Sequence, residues 1–331
     1  MVQATLFPLE RRATTREVAT LVRAGGVQAL PSAEMRAGEV RYQEVTCRSA
    51  LNAVSGMPFT WTLNPYRGCT HACAYCFARR YQTQLELGTG DDFSRVILVK
   101  HNIATMLARE VDRPSWRRGL VALGTATDPY QPVEGRYRLT RACLEVLAGA
   151  GVPVGLVTKG PMVVRDVDVL AEMSRRGAVT VYVSLPTVDD EACARLEPGA
   201  APPGQRLRAL RRLLDAGVRA GALMSPLVPG FSTQPSRIEA TVRALADAGI
   251  PLLGGNVLYL EGGTRSHFFD FLDREAPALR DKYARIYPST HADPAYASQV
   301  RRVLRLMRER YGLTSPTGAV KRQTDWIAEE V

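Results

Sequence analysis

The sequence predicts an α/β fold built on a parallel sheet, and two observations support this prediction. From Gly119 onward, short apolar runs rich in β-branched residues alternate with stretches of helical length, which is the pattern of strand–helix units. The chain has 331 residues, of which 46% are hydrophobic, so it can bury a large core. We therefore expect either one large α/β domain or a barrel with appendages.

The individual elements can be assigned in chain order. Residues 59–63 alternate between apolar and polar side chains, as a half-buried strand does, and residues 95–100 form a β-branched run typical of a strand. Residues 77–87 are predicted to be helical, and Asn102 is the expected N-cap of a helix that ends near Glu110. Further strands are predicted at residues 120–125, 154–158, 179–185, 219–224 and 253–260, and helices at residues 139–148, 167–175, 205–216 and 236–248.

These elements divide the chain into three regions. Residues 1–57 lack a clear period and are expected to form an N-terminal extension with a short strand near residues 39–46. Residues 58–262 contain six barrel-like strands in addition to the strand at residues 95–100. Residues 263–331 are expected to be a helical C-terminal region, whose last long helix carries arginines on one face and apolar side chains on the other.

Charge and hydropathy narrow the classes of function. The formal net charge of +10 favours an anionic partner, but it is equally expected of a generally basic surface in an arginine-rich protein. No apolar run approaches the roughly 20 residues needed to span a bilayer, and the polar N-terminus has no signal-peptide pattern. We therefore expect a cytoplasmic protein with no membrane partner, in a compartment where thiols stay reduced.

Three of the six cysteines lie in one short segment, NPYRGCTHACAYCF at residues 64–77. Their spacing allows Cys69, Cys73 and Cys76 to converge on one metal centre, and Gly68 lets the backbone approach that centre closely. A cubane iron–sulfur cluster suits three thiolates because its fourth iron stays free for another ligand. Zinc normally takes four ligands in paired spacing, and three clustered thiols cannot form disulfides among themselves. The cysteines alone leave zinc and iron–sulfur open.

The arrangement C-x-x-x-C-x-Φ-C, with the aromatic Tyr75 before the last cysteine, resembles the signature of radical S-adenosylmethionine (SAM) enzymes. The wider strings NPYRGC and YCFAR around it resemble the branch related to spore photoproduct lyase. The strings TDPYQP at residues 127–132 and LVTKG at residues 156–160 are similar to an actinobacterial family of that branch. The resemblance covers roughly residues 40–310 and implies a partial (β/α)6 barrel.

The resemblance also implies the cofactors. Cys69, Cys73 and Cys76 would hold a 4Fe–4S cluster whose open iron is chelated by the amino and carboxylate groups of SAM. Electron transfer from the reduced cluster would cleave SAM to methionine and a 5′-deoxyadenosyl radical, which abstracts a hydrogen atom from the substrate. The expected electron donor is a reductase or a protein of the flavodoxin or ferredoxin type.

One feature of the related branch is missing. Spore photoproduct lyase uses a cysteine as hydrogen donor, and no cysteine of this chain matches it convincingly. Cys47, Cys143 and Cys193 are expected to be structural, because they are scattered and Cys143 falls on an apolar helix face. Identical lyase chemistry is therefore not implied.

Polar residues follow the predicted strand ends, where functional groups of parallel α/β sheets gather. By similarity to the superfamily, the segment at residues 125–128 takes the place of the motif that binds the methionyl amino group, with Asp128 accepting the ammonium. Ser184 would lie near the SAM ribose or carboxylate, and the segment at residues 257–259 near adenine. The resulting cofactor-binding candidates are Tyr75, Phe77, Thr125, Thr127, Asp128, Ser184 and Leu258.

Three further residues are candidates for catalysis. Tyr130 and Glu134 belong to or follow a proline-rich loop at the expected substrate entrance, so both are predicted to face the substrate. Lys159 stands at a strand end and could bind a carboxylate or a phosphate.

The resulting functional hypothesis is a radical SAM enzyme that acts on nucleic acid or a nucleotide-like compound, in the manner of a repair lyase. A radical SAM enzyme that acts on a small natural-product or nucleoside precursor is the first alternative. A metal-binding nucleic-acid adaptor without catalysis is the alternative from another class, although an adaptor has no need of so many polar groups around a pocket.

Overall fold

A seven-stranded sheet forms the centre of the fold. The computed structural model describes residues 13–30, 34–36 and 40–313. Within them the strands are β1 (Glu34–Arg36), β2 (Val40–Val45), β3 (Leu51–Ala53), β4 (Trp61–Leu63), β5 (Tyr66–Arg67), β6 (Val96–Lys100), β7 (Val121–Leu123), β8 (Val154–Thr158), β9 (Val179–Ser184), β10 (Ala220–Leu227) and β11 (Leu252–Val257). The order across the large sheet is β11–β10–β9–β8–β7–β4–β3. All neighbours from β4 to β11 are parallel, and β3 pairs antiparallel with β4 at one edge.

Helices follow the parallel strands in alternation, as the sequence predicts. The described helices are α1 (Thr15–Gly25), α2 (Asp92–Arg95), α3 (Ile103–Val111), α4 (Glu134–Tyr137), α5 (Leu139–Gly149), α6 (Val167–Arg175), α7 (Asp190–Leu196), α8 (Pro203–Asp215), α9 (Pro235–Asp247), α10 (Gly262–Glu275), α11 (Arg280–Ile286) and α12 (Pro294–Arg310). Short 3₁₀-helices cover Val27–Ala29, Phe77–Leu85, Pro161–Asp166 and Pro277–Leu279.

The six predicted barrel strands are confirmed, and together with the alternating helices they form a partial (β/α)6 barrel. Every residue of the central strand β9 is buried, which is expected of a parallel strand covered on both faces. The strand predicted at residues 95–100 is also present as β6, but it lies in a separate four-stranded sheet ordered β1–β2–β6–β5. This small sheet places β5, and the cysteine segment that follows it, beside the barrel.

Three local details add to the predictions. The N-terminal extension contains the helix α1, which was not predicted and which begins with a capping box between Thr14 and Glu17. The predicted helix at residues 77–87 is present as a 3₁₀-helix over Phe77–Leu85. Asn102 occupies the predicted N-cap position of α3, but its side chain makes no capping hydrogen bond; it exchanges two 2.9 Å hydrogen bonds with the backbone of Cys47.

The C-terminal region is helical over its described part, as predicted. Helix α12 packs against α9 and β11, so it covers the edge of the barrel sheet. The rest of the predicted region, residues 314–331, lies outside the described residues. Among the described helices, none is both long and apolar enough to cross a membrane.

Candidate functional site

The three cysteines of the segment at residues 69–76, called the cysteine loop below, lie together next to the sheet. None of them forms a disulfide. The side chain of Cys76 packs both against the apolar cluster that contains Cys73 and against the one that contains Cys69. Burial raises the pKa of the Cys73 and Cys76 thiols, and negative charge on a neighbouring loop cysteine raises each further. The thiols are therefore close enough to influence each other's ionisation.

Gly68 lies between the end of β5 and the first residue of the cysteine loop. Its φ of +80° lies in the left-handed region, and a Cβ at this position would lie 2.5 Å from the Val96 carbonyl oxygen and 2.9 Å from that of Phe93. Only glycine combines this backbone angle with such a close approach. Gly68 therefore lets the chain pass close to the backbone of Phe93 and Val96; its predicted close approach to a metal centre stays a prediction.

Two segments outside the loop fix its backbone. The Arg79 guanidinium is 2% exposed and donates to the carbonyl oxygens of Ala72 at 3.0 Å and Cys73 at 3.1 Å. From the opposite side, Ala74 donates to the Leu196 carbonyl at 2.9 Å, and a Cβ on Gly199 would overlap the Thr70 carbonyl oxygen. The loop is thus held between the helix that follows it and the turn after α7.

The segment after β7 holds the start of the cysteine loop through side chains. Thr127 donates to the Gly68 carbonyl at 2.6 Å, and the Gln131 amide donates to the same carbonyl at 3.2 Å. The Gln131 side-chain oxygen also accepts from the Thr70 amide at 3.1 Å. Both side chains are buried. Thr127, predicted to bind SAM, therefore has a direct contact with the loop that carries the cysteines.

Asp128 connects the loop to the end of β8. Its carboxylate lies 3.3 Å from His71 Nδ1 and accepts from the Thr158 hydroxyl at 2.6 Å, the Lys159 amide at 2.6 Å and the Tyr130 amide at 2.9 Å. Burial opposes ionisation of Asp128, but His71 and these donors outweigh it and lower the pKa of the carboxyl. Asp128, predicted to accept the SAM ammonium, thus accepts from several protein donors in this structure.

His71 is the basic partner in this contact. Burial alone would lower its pKa, but the Cys69 thiolate and the Asp128 carboxylate outweigh burial and raise the pKa to about 10. The His71 imidazole thus lies in an environment that favours its protonated form.

A second buried network surrounds Lys159. This residue follows strand β8 and lies next to the cysteine loop. Its ammonium is 4.0 Å from a Glu197 oxygen and 5.6 Å from the centre of the Tyr75 ring. The Tyr75 hydroxyl donates to Glu197, which also forms an ion pair with Arg206. Burial would lower the pKa of Lys159, but negative charge on Cys73 and Glu197 raises it above its usual value. Lys159 is therefore a cation beside the cysteines, already paired with a carboxylate.

The other predicted cofactor-binding residues lie at or near the same edge of the sheet. Thr125 is half-buried and accepts from the Asn64 side chain at 3.4 Å. Ser184 is buried and donates to the Ser225 carbonyl at 3.1 Å. Leu258 is buried, and its amide donates to the Leu227 carbonyl at 3.0 Å. Phe77 is 39% exposed. Of this set, Thr125 and Phe77 retain side-chain surface that a ligand could contact.

Tyr130 and Glu134, which are predicted to face the substrate, make buried contacts within the protein in this structure. The Tyr130 hydroxyl is buried and donates to Asp166 at 2.9 Å. Glu134 is fully buried, accepts from the Tyr66 hydroxyl at 2.5 Å and pairs with Arg165 at 2.7 Å. These contacts tie the loop after β7 to the barrel wall, so the two side chains stabilise the scaffold.

Sequence reasoning missed Glu197 and Arg206, which form a buried ion pair in the network around Lys159. Arg206 left a signal, because it shares the buried face of α8 with Ala209, Leu210 and Leu213, where a charge needs a partner. Glu197 lies after α7 and had no periodic pattern to mark it. The sequence marked Arg79 only as a member of the string YCFAR, although its guanidinium donates to the backbone of the loop.

These residues suit an iron–sulfur cluster better than a zinc ion. Within the described residues, no group of three or more His, Cys, Asp or Glu side chains has the arrangement of a metal-ion site, and this includes the loop cysteines. The loop offers three free thiols, with His71 and Lys159 beside them. Thiolates are the usual ligands of iron–sulfur clusters, and nearby positive charge stabilises the negative charge that such a cluster and its thiolates carry.

Comparisons with known proteins agree with this assignment. Residues 63–235 match the family model described as the radical SAM superfamily, which is slightly more than half of the chain. An uncharacterized protein of Mycobacterium bovis, Mb2609c, is 38% identical over 266 residues, covering 79% of this chain and 78% of that protein. A radical SAM Nalpha-GlyT isomerase of Pseudomonas phage M6 is 26% identical over 174 residues, covering 51% of this chain and 33% of the isomerase.

Solved structures show the same fold. Spore photoproduct lyase complexed with dinucleoside spore photoproduct superposes with a TM-score of 0.61 at 15% identity, covering 82% of this chain and 79% of the lyase. A variant of that lyase with bound AdoMet and dinucleoside spore photoproduct gives a TM-score of 0.61 and covers 89% of this chain and 91% of the variant. Members of the matched family use a 4Fe–4S cluster and SAM, which agrees with the three free thiols. The chain is an enzyme and belongs to the radical SAM superfamily.

Proposed function

We propose that this enzyme abstracts a hydrogen atom from a nucleic-acid or nucleotide-like substrate, in the manner of a repair lyase. The observation that carries the proposal is the set of contacts between residues at the strand ends and the cysteine loop. Thr127 and Asp128 after β7 contact Gly68 and His71 at 2.6 Å and 3.3 Å, and the Lys159 ammonium after β8 lies 5.6 Å from the centre of the Tyr75 ring. Such fixed geometry is what a radical reaction needs, because the reacting groups must be held in place. We assign this chemistry to residues 58–262.

The chain's own residues have distinct roles in this proposal. Cys69, Cys73 and Cys76 hold the cluster, which when bound and reduced supplies the electron that cleaves SAM to methionine and a 5′-deoxyadenosyl radical. Arg79 fixes the loop backbone, and Lys159 places a positive charge beside the thiols. Burial of this region excludes water, which a radical reaction requires.

The candidates for direct contact with SAM follow from exposure. Thr125 presents accessible side-chain surface and Phe77 directly follows Cys76, so we propose that the Thr125 side chain and the Phe77 backbone contact SAM, which leaves the exposed Phe77 ring for other contacts. Ser184 and Leu258 are buried, and we propose that they act by shaping the wall of the site through their backbone. Tyr75 presents its ring to Lys159 and its hydroxyl to Glu197, so we expect it to support the adenine site from behind.

Two findings support the class of substrate. The structures of similar fold include spore photoproduct lyase with a dinucleoside photoproduct bound. The chain itself carries a formal charge of +10, which favours association with polyanions. We further propose a cytoplasmic location and a flavodoxin-type, ferredoxin-type or other reductase donor, because a reducible cluster needs both a reducing compartment and an electron source.

Deuterium transfer tests this proposal directly. The reconstituted enzyme is incubated with SAM and dithionite, once with fully deuterated nucleic acid and once with a deuterated nucleic-acid-free extract of small metabolites. Abstraction from nucleic acid predicts deuterium in the 5′-deoxyadenosine of the first reaction, measured by mass spectrometry. Deuterium only in the second reaction would contradict the proposal and favour a biosynthetic enzyme that acts on a small precursor.

A further inference from the structure

Phe77 is an apolar side chain left open to solvent beside the cysteine loop. Large hydrophobic side chains are exposed at three positions of the described chain, and the other two, Met57 and Leu306, are remote in sequence from the loop. Phe77 immediately follows Cys76, and the Thr264 hydroxyl donates to the carbonyl of Cys76 at 3.2 Å. The start of the 3₁₀-helix is therefore anchored while the ring of Phe77 stays exposed.

Tyr81 extends this aromatic surface by one turn. Its ring centre lies 6.2 Å from that of Phe77, with an edge-to-face angle of 79°. Tyr81 is half-buried and packs against the apolar cluster that contains Cys69, with Cys76 and Ala126 packed on the same cluster. The tyrosine ring is therefore in contact with the group of residues that joins the cysteine loop to the segment after β7.

Arg80 adds a positive charge to the same surface. Its guanidinium lies 5.0 Å from the centre of the Tyr81 ring and donates to the Tyr81 hydroxyl at 3.2 Å. An ion pair with Glu261 holds one end of the guanidinium, while its Nε is buried without a hydrogen-bond partner. The helix Phe77–Leu85 carries two arginines and no carboxylate. The surface thus combines the exposed Phe77 ring and the half-buried Tyr81 ring with a guanidinium that Glu261 holds in place.

Residues that follow the last barrel strand, β11, continue this surface beyond Arg80. Tyr259 follows β11 and donates through its hydroxyl to Glu261, and its ring centre lies 5.1 Å from that of the exposed His291 at a tilt of 58°. Glu261 therefore joins Arg80 on one side to Tyr259 on the other. We call Phe77, Arg80, Tyr81, Tyr259 and His291 the aromatic rim.

Aromatic rings beside a guanidinium match the chemistry of a nucleotide. Bases stack on aromatic side chains whatever their sequence, and arginine binds the adjoining phosphate. Bases within a duplex are stacked on each other, so a protein ring can reach only an unpaired or flipped base. Resting on the proposed function, we propose that the aromatic rim binds an unpaired nucleobase of single-stranded or locally opened nucleic acid and presents that nucleotide to the cysteine loop.

Binding of a labelled single-stranded oligonucleotide, followed by fluorescence anisotropy without SAM or reductant, tests the aromatic rim. The protein is the full chain with reconstituted cluster. Tyr81→Ala removes the ring and should weaken binding by about tenfold, the effect expected for one stacked base. Tyr81→Phe keeps the ring and should stay within about twofold of the wild type by the same reasoning. The matched control Leu306→Ala removes an exposed apolar side chain elsewhere and should bind like the wild type.

The outcomes separate this inference from the proposed function. Each variant must retain the visible absorbance of its cluster, which shows that the loop is folded. Tighter binding of the single strand than of the matching duplex, lost in Tyr81→Ala alone, supports the aromatic rim. Equal binding by Tyr81→Ala and wild type, a preference for duplex, or no binding by the wild type overturns it. None of these results depends on SAM cleavage, so failure to form 5′-deoxyadenosine would count against the proposed function and leave the aromatic rim intact.

Discussion

Glu197 is the residue whose replacement should disturb the cysteine loop most without touching a cysteine. Its carboxylate is buried, accepts from the Tyr75 hydroxyl, and pairs with Arg206, whose side chain is 0% exposed. Glu197→Gln keeps the shape but removes the charge, which leaves the Arg206 guanidinium buried without a counter-charge. Breaking a buried ion pair in this way costs about 3–5 kcal/mol. We expect the lower end of that range, about 3 kcal/mol, because the glutamine can still accept from Tyr75.

Urea unfolding of the reconstituted protein, followed by circular dichroism, measures this effect. The control is Glu191→Gln, which removes a carboxylate that is 84% exposed and 4.0 Å from Arg195; such exposed pairs contribute at most about 1 kcal/mol. Adding Arg206→Met to Glu197→Gln removes the stranded charge and should recover part of the loss. If Glu197→Gln is no less stable than the Glu191→Gln control, the reasoning about the second network is refuted.

Three further predictions concern the loop and its neighbours. Gly199→Ala places a Cβ on the Thr70 carbonyl oxygen, so we expect a reduced iron content after reconstitution, whereas Gly149→Ala, where a Cβ would meet nothing, should keep its iron. Lys159→Met removes a cation beside Cys73 and should make the cluster harder to reduce; spectroelectrochemistry should show a lower midpoint potential, and an unchanged potential would contradict the assigned position of the ammonium. Glu134→Gln should lower the urea midpoint yet preserve SAM cleavage per folded molecule, whereas loss of cleavage without loss of stability would support its predicted catalytic role.

The strands and the cysteine loop could be predicted because local chemistry determines them. Apolar runs such as residues 179–185 have one stable solution, a buried parallel strand, and β9 is found there. Cys69, Cys73 and Cys76 are marked by spacing alone. Signals of this kind depend on neighbours in the sequence, so a single chain reveals them.

The supporting network could not be predicted because its partners are far apart in the chain. Glu197 meets Tyr75 across 122 positions, and no local pattern announces such a pair. The contacts of Tyr130 and Glu134 could not be predicted for a related reason. A polar side chain in a rigid loop can turn either to the pocket or to the scaffold, and only the positions of Asp166 and Arg165 decide between them.

The central claim is that the cysteine loop holds a cluster that cleaves SAM. Anaerobic reconstitution with iron and sulfide, followed by reduction with dithionite in the presence of SAM, tests it by electron paramagnetic resonance and by 5′-deoxyadenosine release. The account predicts a reduced 4Fe–4S signal that SAM perturbs, together with deoxyadenosine, both lost in Cys73→Ala. Stoichiometric zinc with no cluster and no cleavage of SAM would contradict the account.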